Sequence, residues 1–270
     1  MLVRLRTLCL FICCLAATAA LGAQPANRVW LDDYTWTELA TALNAGKTTI
    51  IVPIGGTEQS GPHMALGKHN VRVKVLAERI ALALGNALVA PVVAYVPEGS
   101  IDPPTAHMRF PGTISVPERA FEAVLESAAR SFKRHGFRDI VFIGDHGGYQ
   151  KSEQAVAARL NREWAASPTR VHAIVAFYEI TQSRYRELLQ RRGFTDEEIG
   201  THAGAADTSL ALAVDPSLVR EDRLQTAAAD GQKSGVYGDP RRSSAELGGL
   251  GIDVIVAETV NEIRNAVKRR

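Results

Sequence analysis

Three short segments hold most of the side chains that could perform chemistry, and each combines glycines with histidine or carboxylate residues. They cover residues 55–70, 144–148 and 201–209. Imidazole and carboxylate groups are suitable ligands for zinc or manganese, and Glu58 is the carboxylate of the first segment. Five of the seven histidines fall in predicted loops, four of them within these segments: His63, His69, His107, His146 and His202. This concentration predicts a metal site.

Each signal taken alone also has a purely structural explanation. Glu58 and Gln59 could cap a helix, and Gly147 with Gly148 could form a turn. A single histidine at the end of a strand is more often a hydrogen-bonded structural residue than a ligand. The metal site is therefore predicted from the clustering of these residues, and not from any one of them.

Alternating strands and helices must position these segments. Apolar and β-branched runs predict strands at 48–54, 87–96, 139–143 and 171–178. Helical spacing predicts helices at 71–84, 117–135, 151–166, 184–192, after Asp207 and at 252–268. This alternation predicts an α/β fold with a mostly parallel sheet covered on both faces. Ligands bind at the carboxyl ends of the strands in such folds. Segments 55–70 and 144–148 follow the first and third predicted strands.

Composition is that of an ordinary globular domain. The chain has 270 residues, of which 46% are apolar and 22% charged, and we find no linker, internal repeat or low-complexity tract. One domain over residues 24–270 is therefore predicted. The net charge of +2 does not indicate binding to nucleic acid, which requires clustered basic residues.

The N-terminal segment has the pattern of a secretory signal peptide. Arg4 and Arg6 precede an apolar run over residues 8–21, and small residues follow it. We predict a signal peptide over residues 1–23, export to the periplasm, and no membrane association after cleavage; an uncleaved anchor is the alternative. All three cysteines lie in this segment. Any metal site in the mature chain must then be built from histidines and carboxylates.

The segment 53–70 resembles the signature of the creatininase family. Phe110-Pro111-Gly112-Thr113, residues 144–148, His202-Ala203-Gly204 and Gly238-Asp239-Pro240 resemble further blocks of that family in the same order. The resemblance covers about residues 28–268. It implies a three-layer αβα domain, assembly as a homo-oligomer and specifically a hexamer, and hydrolysis of C–N bonds in cyclic or formyl amides.

The resemblance also implies two metal ions bridged by an aspartate, and here the sequence departs from it. Glu58 and His146 match the ligands of one ion, whereas His69 stands at the position of the bridging aspartate. Ser60 and Gly148 replace two further ligands. A neutral imidazole does not bridge two ions, so we predict one divalent ion bound by Glu58, His69 and His146 plus water. Zinc is the expected metal, with manganese or iron as alternatives.

The other site residues have predicted roles around that ion. His202 matches the catalytic histidine that the resemblance implies and is expected to shuttle a proton, and Asp207 is expected to be a fourth ligand or to hold the attacking water. His63 is expected to contact the metal-binding residues or the substrate. His107 and Phe110 are expected to line the substrate pocket. The predicted partner is a small molecule. Two alternatives stay open: a lactone hydrolase and a non-catalytic periplasmic binding protein.

Overall fold

A computed structural model describes residues 28–269, and its centre is a four-stranded sheet. The strands run in the order β2-β1-β3-β4, and every pair of neighbours is parallel. Their bounds are β1 Thr49–Ile54, β2 Ala87–Val89, β3 Asp139–Gly144 and β4 Arg170–Ala173. Because all strands are parallel, their carboxyl ends lie at one edge of the sheet.

Helices connect the strands and cover both faces of the sheet. Those N-terminal to β4 are α1 Trp36–Asn44, α2 Lys68–Leu84, α3 Glu118–His135 and α4 Gln150–Glu163. Those that follow it are α5 Ala176–Gln182, α6 Arg184–Arg191, α7 Asp196–Ile199, α8 Ala205–Val214, α9 Leu224–Asp230 and α10 Ala245–Lys268. The α/β, three-layer αβα class predicted from the sequence is confirmed.

Side-chain alternation in the buried strands divides the core into two layers. In β1, Ile50, Val52 and Ile54 pack with Phe121 of α3 and the apolar residues of α4. Ile51 points to the opposite face and packs against α2, α8 and α10. All six residues of β1 are buried, as expected for a parallel strand covered on both sides.

Several elements differ in length from the sequence expectation. The second strand ends at Val89 because Pro91 cannot donate a ladder hydrogen bond. The fourth strand ends at Ala173, and α5 occupies much of the remaining apolar run, which periodicity alone cannot assign to strand or helix. The first long helix begins at Lys68, so His69 lies in its first turn and not in a loop.

The predicted signal peptide, residues 1–23, lies outside the residues that the structure describes. Within residues 28–269, no helix has both the length and the apolar character needed to cross a bilayer. The division into a signal peptide and one domain stays a prediction.

Candidate metal centre

Four potential metal ligands converge at the carboxyl ends of the strands. Glu58 follows β1, Glu98 and His107 lie in the long segment after β2, and His146 follows β3. One ligand atom from each residue lies within 4.8 Å of the others. The loop edge of the sheet therefore brings together two carboxylates and two imidazoles, a donor set that suits zinc or manganese.

The carboxylates of this group have oxygens without hydrogen-bond partners. Glu58 Oε2 lies 3.2 Å from His107 Nε2 and 3.6 Å from His146 Nε2, yet neither pair has hydrogen-bond geometry. Both oxygens of Glu98 are also buried and unpartnered, and Glu98 Oε2 lies 3.7 Å from His146 Nδ1. Unsatisfied buried oxygens are costly, and a divalent cation would give a partner to one oxygen of each carboxylate. The donor set therefore fits a metal ion.

Burial sets the protonation states of the group in the absence of an ion. It raises the pKa of Glu98 to about 9, and the neighbouring charge of Glu58 adds to the effect. Burial lowers the pKa of His146 to about 4 and also lowers that of His107, although the charge of Glu58 opposes both shifts. Both imidazoles are therefore neutral at pH 7, which is the form that binds metals.

His69 lies beside this group but is not part of it. Its Nε2 donates to Glu58 Oε1 at 2.7 Å, and its Nδ1 donates to Asp145 Oδ2 at 2.5 Å. Burial and the charge of Lys68 lower the pKa of His69, but the two carboxylates outweigh them and raise it overall. With both nitrogens engaged, His69 bridges two carboxylates as a cation, and the geometry favours His107 in its place as a ligand.

Asp207 belongs to a buried network of ion pairs and not to the four-residue donor group. Its carboxylate accepts from Lys68 Nζ and from Arg72 NH1, and also from the Ala203 N–H. Arg72 in turn donates through Nε to both oxygens of Asp145. Burial alone would raise the pKa of Asp207, but the charges of Lys68 and Arg72 hold it well below its usual range. Asp207 therefore anchors two cations.

His202 lines a cavity that lies beside the four-residue donor group. Its Nε2 lies 3.0 Å from the carbonyl oxygen of Gln59 and donates to it, while its Nδ1 lies 3.6 Å from Glu58 Oε1. Burial lowers the pKa of His202 to about 3. The imidazole is therefore neutral, with its unprotonated nitrogen directed toward the carboxylate.

Two predicted substrate-binding residues are placed apart from the cavity lining. His63 is fully buried and contacts Thr208 Oγ1 through Nε2 at 3.0 Å. Phe110 is half-buried at the end of the short helix Ala106–Arg109. Neither residue lines the cavity beside the donor group, whereas His107 does.

Local backbone conformation explains how the loops approach each other. Gly56 has φ +153°, and a Cβ there would lie 2.6 Å from Glu98 Oε1. Ala106 and Ala203, next to His107 and His202, are the two residues other than glycine with positive φ within the described range. Such strained positions concentrate at functional sites. Close approach of the loop after β1 to the segment after β2 therefore brings Glu98 next to the other residues of the donor group.

The cavity beside the donor group has a volume of about 140 Å³. Its walls include Lys68, His69, His107, His146 and His202 together with polar side chains from α5, α6 and the segment before α8. Those polar residues are Tyr178, Thr181, Gln182, Arg186 and Thr201. The space suits a small polar molecule.

Sequence reasoning missed Glu98 and the two cations Lys68 and Arg72. Glu98 follows β2, so its position after a predicted strand was the signal that could have identified it. Lys68 lies in the segment 55–70 and Arg72 on the helix predicted at 71–84. Neither gave such a signal, because lysine and arginine are ordinarily solvent-exposed in loops and helices alike. Here they are 1% and 4% exposed.

Comparison with known proteins assigns the family. The family model described as "Creatininase: Creatinine amidohydrolase" matches residues 32–263. The chain belongs to the creatininase family. Creatinine amidohydrolase of Pseudomonas putida is 28% identical over 201 residues, with 73% of this chain and 75% of that protein covered.

Other relatives carry different names. Mycofactocin precursor peptide peptidase of Mycolicibacterium smegmatis is 28% identical over 254 residues, with 86% of this chain and 90% of that protein covered. The 3-dehydro-scyllo-inosose hydrolase of Thermotoga maritima is 28% identical over 184 residues, with 64% and 52% covered. Relatives of this family are hydrolases, and they support a hydrolase here.

Solved creatininase structures have the same fold. A structure titled "Creatininase Mn" superposes with a TM-score of 0.71 at 26% identity, covering 88% of this chain and 98% of that one. A mutant creatininase of "Zn-Zn type" gives a TM-score of 0.68 at 25% identity with the same coverage. Those titles name manganese and zinc for those proteins.

Proposed function

We propose that this creatininase-family member is a metal-dependent hydrolase that cleaves a C–N bond in a small cyclic amide. The observation that carries the proposal is the group of Glu58, Glu98, His107 and His146, in which three carboxylate oxygens are unpartnered and the two histidines line a small cavity. We further propose one ion per chain, zinc in the first place and manganese or iron as alternatives. Ser60 and Gly148, where the family resemblance expects further ligands, supply no imidazole or carboxylate.

A divalent ion held by these residues would polarise the scissile carbonyl and lower the pKa of a water molecule toward about 7. Glu58 orients the group, because His69 fixes its Oε1 while Oε2 faces the two imidazoles. His202 presents an unprotonated Nδ1 at the cavity. Because its pKa is about 3, His202 is unprotonated at neutral pH. It accepts a proton only when negative charge develops on a neighbouring group during the reaction. It then returns that proton to the leaving nitrogen.

The cavity size favours a single ring as substrate. A volume of about 140 Å³ is close to that of an engineered cavity of roughly 150 Å³ that holds benzene. Polar walls distinguish this cavity from an apolar one and suit a ring that carries amide groups. A long peptide would need a groove, so the peptidase activity in the name of the mycobacterial relatives is not our first proposal.

A substrate panel tests the reaction class. We would incubate the zinc-loaded full-length protein with creatinine, hydantoin and other five-membered cyclic amides, and with γ-butyrolactone as the ester counterpart. Ring opening of a cyclic amide supports the proposal. Turnover of the lactone alone, or of none of the compounds, would overturn it.

Replacing His146 tests whether the donor group performs the reaction. We expect His146→Ala to lose at least about 100-fold in activity and to bind zinc much more weakly, because a ligand is removed. His135→Ala is the matched control, since His135 is exposed at the end of α3. Zinc titration and initial rates measure both effects, and equal behaviour of the two variants would refute the role of His146.

Location and assembly are further proposals. We propose that the chain is exported to the periplasm with residues 1–23 removed, and that it acts on a small molecule as a homo-oligomer, a hexamer by family resemblance. The N-terminal residue of the secreted protein and its molar mass by light scattering test these two proposals.

A further inference from the structure

Lys68 is a buried cation at a position where neither helix stability nor solvation favours it. It is the first residue of α2, and its side chain is 1% exposed. A cation is unfavourable at the positive N-terminal end of a helix, and burying an ammonium group is costly. Lys68 nevertheless forms part of the cavity wall.

We propose, resting on the hydrolase function above, that the Lys68 ammonium is a catalytic group that stabilises the oxyanion formed on the substrate's carbonyl oxygen. The carboxylate of Glu58 divides the site into two sides. Its Oε2 faces His107 and His146 at 3.2 and 3.6 Å, while its Oε1 lies 3.5 Å from Lys68 Nζ. A substrate in the cavity can therefore meet the metal ligands on one side and the ammonium on the other.

The hydrogen-bonding capacity of the two buried cations distinguishes Lys68 from Arg72. An ammonium group has three hydrogens; Asp207 accepts one of them and Glu58 Oε1 faces the group as an ion-pair partner. One donor is then available to a ligand. Arg72 instead directs Nε to Asp145, NH1 to Asp207 and NH2 toward His69. Arg72 holds the network together, and Lys68 is the cation that can contact substrate.

The proposed step is ordinary amide hydrolysis. The oxygen of a water molecule attacks the carbonyl carbon, and the π electron pair of the carbonyl moves onto its oxygen. The Lys68 N–H donates to that oxyanion. When the carbonyl re-forms, the C–N bond breaks with its electron pair on nitrogen, and the nitrogen takes the proton released by the water. The products are a carboxylic acid and an amine, and transfer of the acid proton then gives a carboxylate and an ammonium group.

The test compares Lys68→Met with Lys74→Met, a matched lysine that is exposed on the same helix. For Lys68→Met we expect kcat to fall about 100- to 1,000-fold, the range found when one oxyanion donor is removed. Zinc affinity should rise by at least about tenfold, because a positive charge near a carboxylate ligand has been removed. Lys74→Met should change neither quantity. Lys68→Arg should recover part of the lost kcat.

The opposite changes in kcat and zinc affinity separate catalysis from a structural role. If Lys68 had only a structural role, Lys68→Met would lower kcat and zinc affinity together or would change neither. Either result overturns the inference. Thermal unfolding by circular dichroism checks that each variant is folded, and Lys68→Gln replaces Lys68→Met if the latter does not fold. Failure of the hydrolase function itself shows separately, as a wild-type protein that binds no zinc or opens no cyclic amide.

Discussion

At the scale of single residues, the role of each surrounding histidine depends on which oxygen of Glu58 it contacts. His69 donates to Oε1 and also to Asp145, so both of its nitrogens are engaged. His107 and His146 face Oε2, which has no hydrogen-bond partner. At position 69, where the family resemblance implies an aspartate, the histidine therefore contacts two carboxylates through its two ring nitrogens.

This arrangement predicts opposite outcomes for two histidine variants. His107→Ala should lose zinc at micromolar concentrations, because a direct ligand is removed. His69→Gln should keep one ion, because a glutamine amide can still donate to Glu58 and no direct ligand is removed. Isothermal titration with zinc measures both affinities. Retention of zinc by the first variant and loss by the second would restore His69 as the ligand.

Glu153 predicts a pH dependence of stability that is independent of the metal ligands. It is fully buried on α4, its oxygens lack hydrogen-bond partners, and burial raises its pKa well above the usual value. A carboxyl group with a raised folded-state pKa contributes its stability fully below the unfolded pKa of about 4.5. That contribution is lost as the pH rises toward the folded-state value.

Glu153→Gln should therefore be more stable than the wild type above about pH 5, and the difference should grow with pH. We expect the gain in the free energy of unfolding over the wild type to be larger at pH 8 than at pH 4. Urea denaturation at pH 4 and pH 8 measures it. Glu197→Gln is the control, since Glu197 is exposed, and an equal pH response in the two variants would contradict the assignment.

At the scale of elements, the site depends on how closely the loop after β1 approaches the segment after β2. Sequence patterns located β1 and β3 to within a residue or two, and they placed Glu58 and His146 at the ends of those strands. They could not show that Gly56 makes room for Glu98 Oε1, because a close approach between distant loops leaves no local pattern. The same limit applies to Lys68, whose burial depends on Asp207 in α8.

Gly56→Ala tests this approach. The added Cβ would lie 2.6 Å from Glu98 Oε1, so we expect Glu98 to be displaced and zinc affinity to fall about 10- to 100-fold. Gly46→Ala is the matched control, because Gly46 also has positive φ, +96°, but has no atom within 4 Å of the new Cβ. Both variants should lose roughly 1–3 kcal/mol of stability from backbone strain. Equal zinc affinities in both would contradict the proposed role of Glu98.

At the scale of the whole molecule, the sequence was sufficient for the architecture. Apolar runs alternating with amphipathic segments predicted a covered parallel sheet, and the structure and the family comparison confirm that class. The apolar run after Val171 was ambiguous between strand and helix, and α5 occupies much of it. Fold prediction succeeded where burial is periodic, and site prediction was incomplete where contacts join distant parts of the chain.

Hydrolysis by the proposed mechanism requires one metal ion per chain at the carboxyl ends of the strands. Its most direct test is the metal content of the protein purified without chelator and then equilibrated with zinc, measured by inductively coupled plasma mass spectrometry. We predict close to one ion per chain. Two ions per chain would restore the dinuclear centre implied by family resemblance, and a chain that retains no ion would contradict metal-dependent hydrolysis.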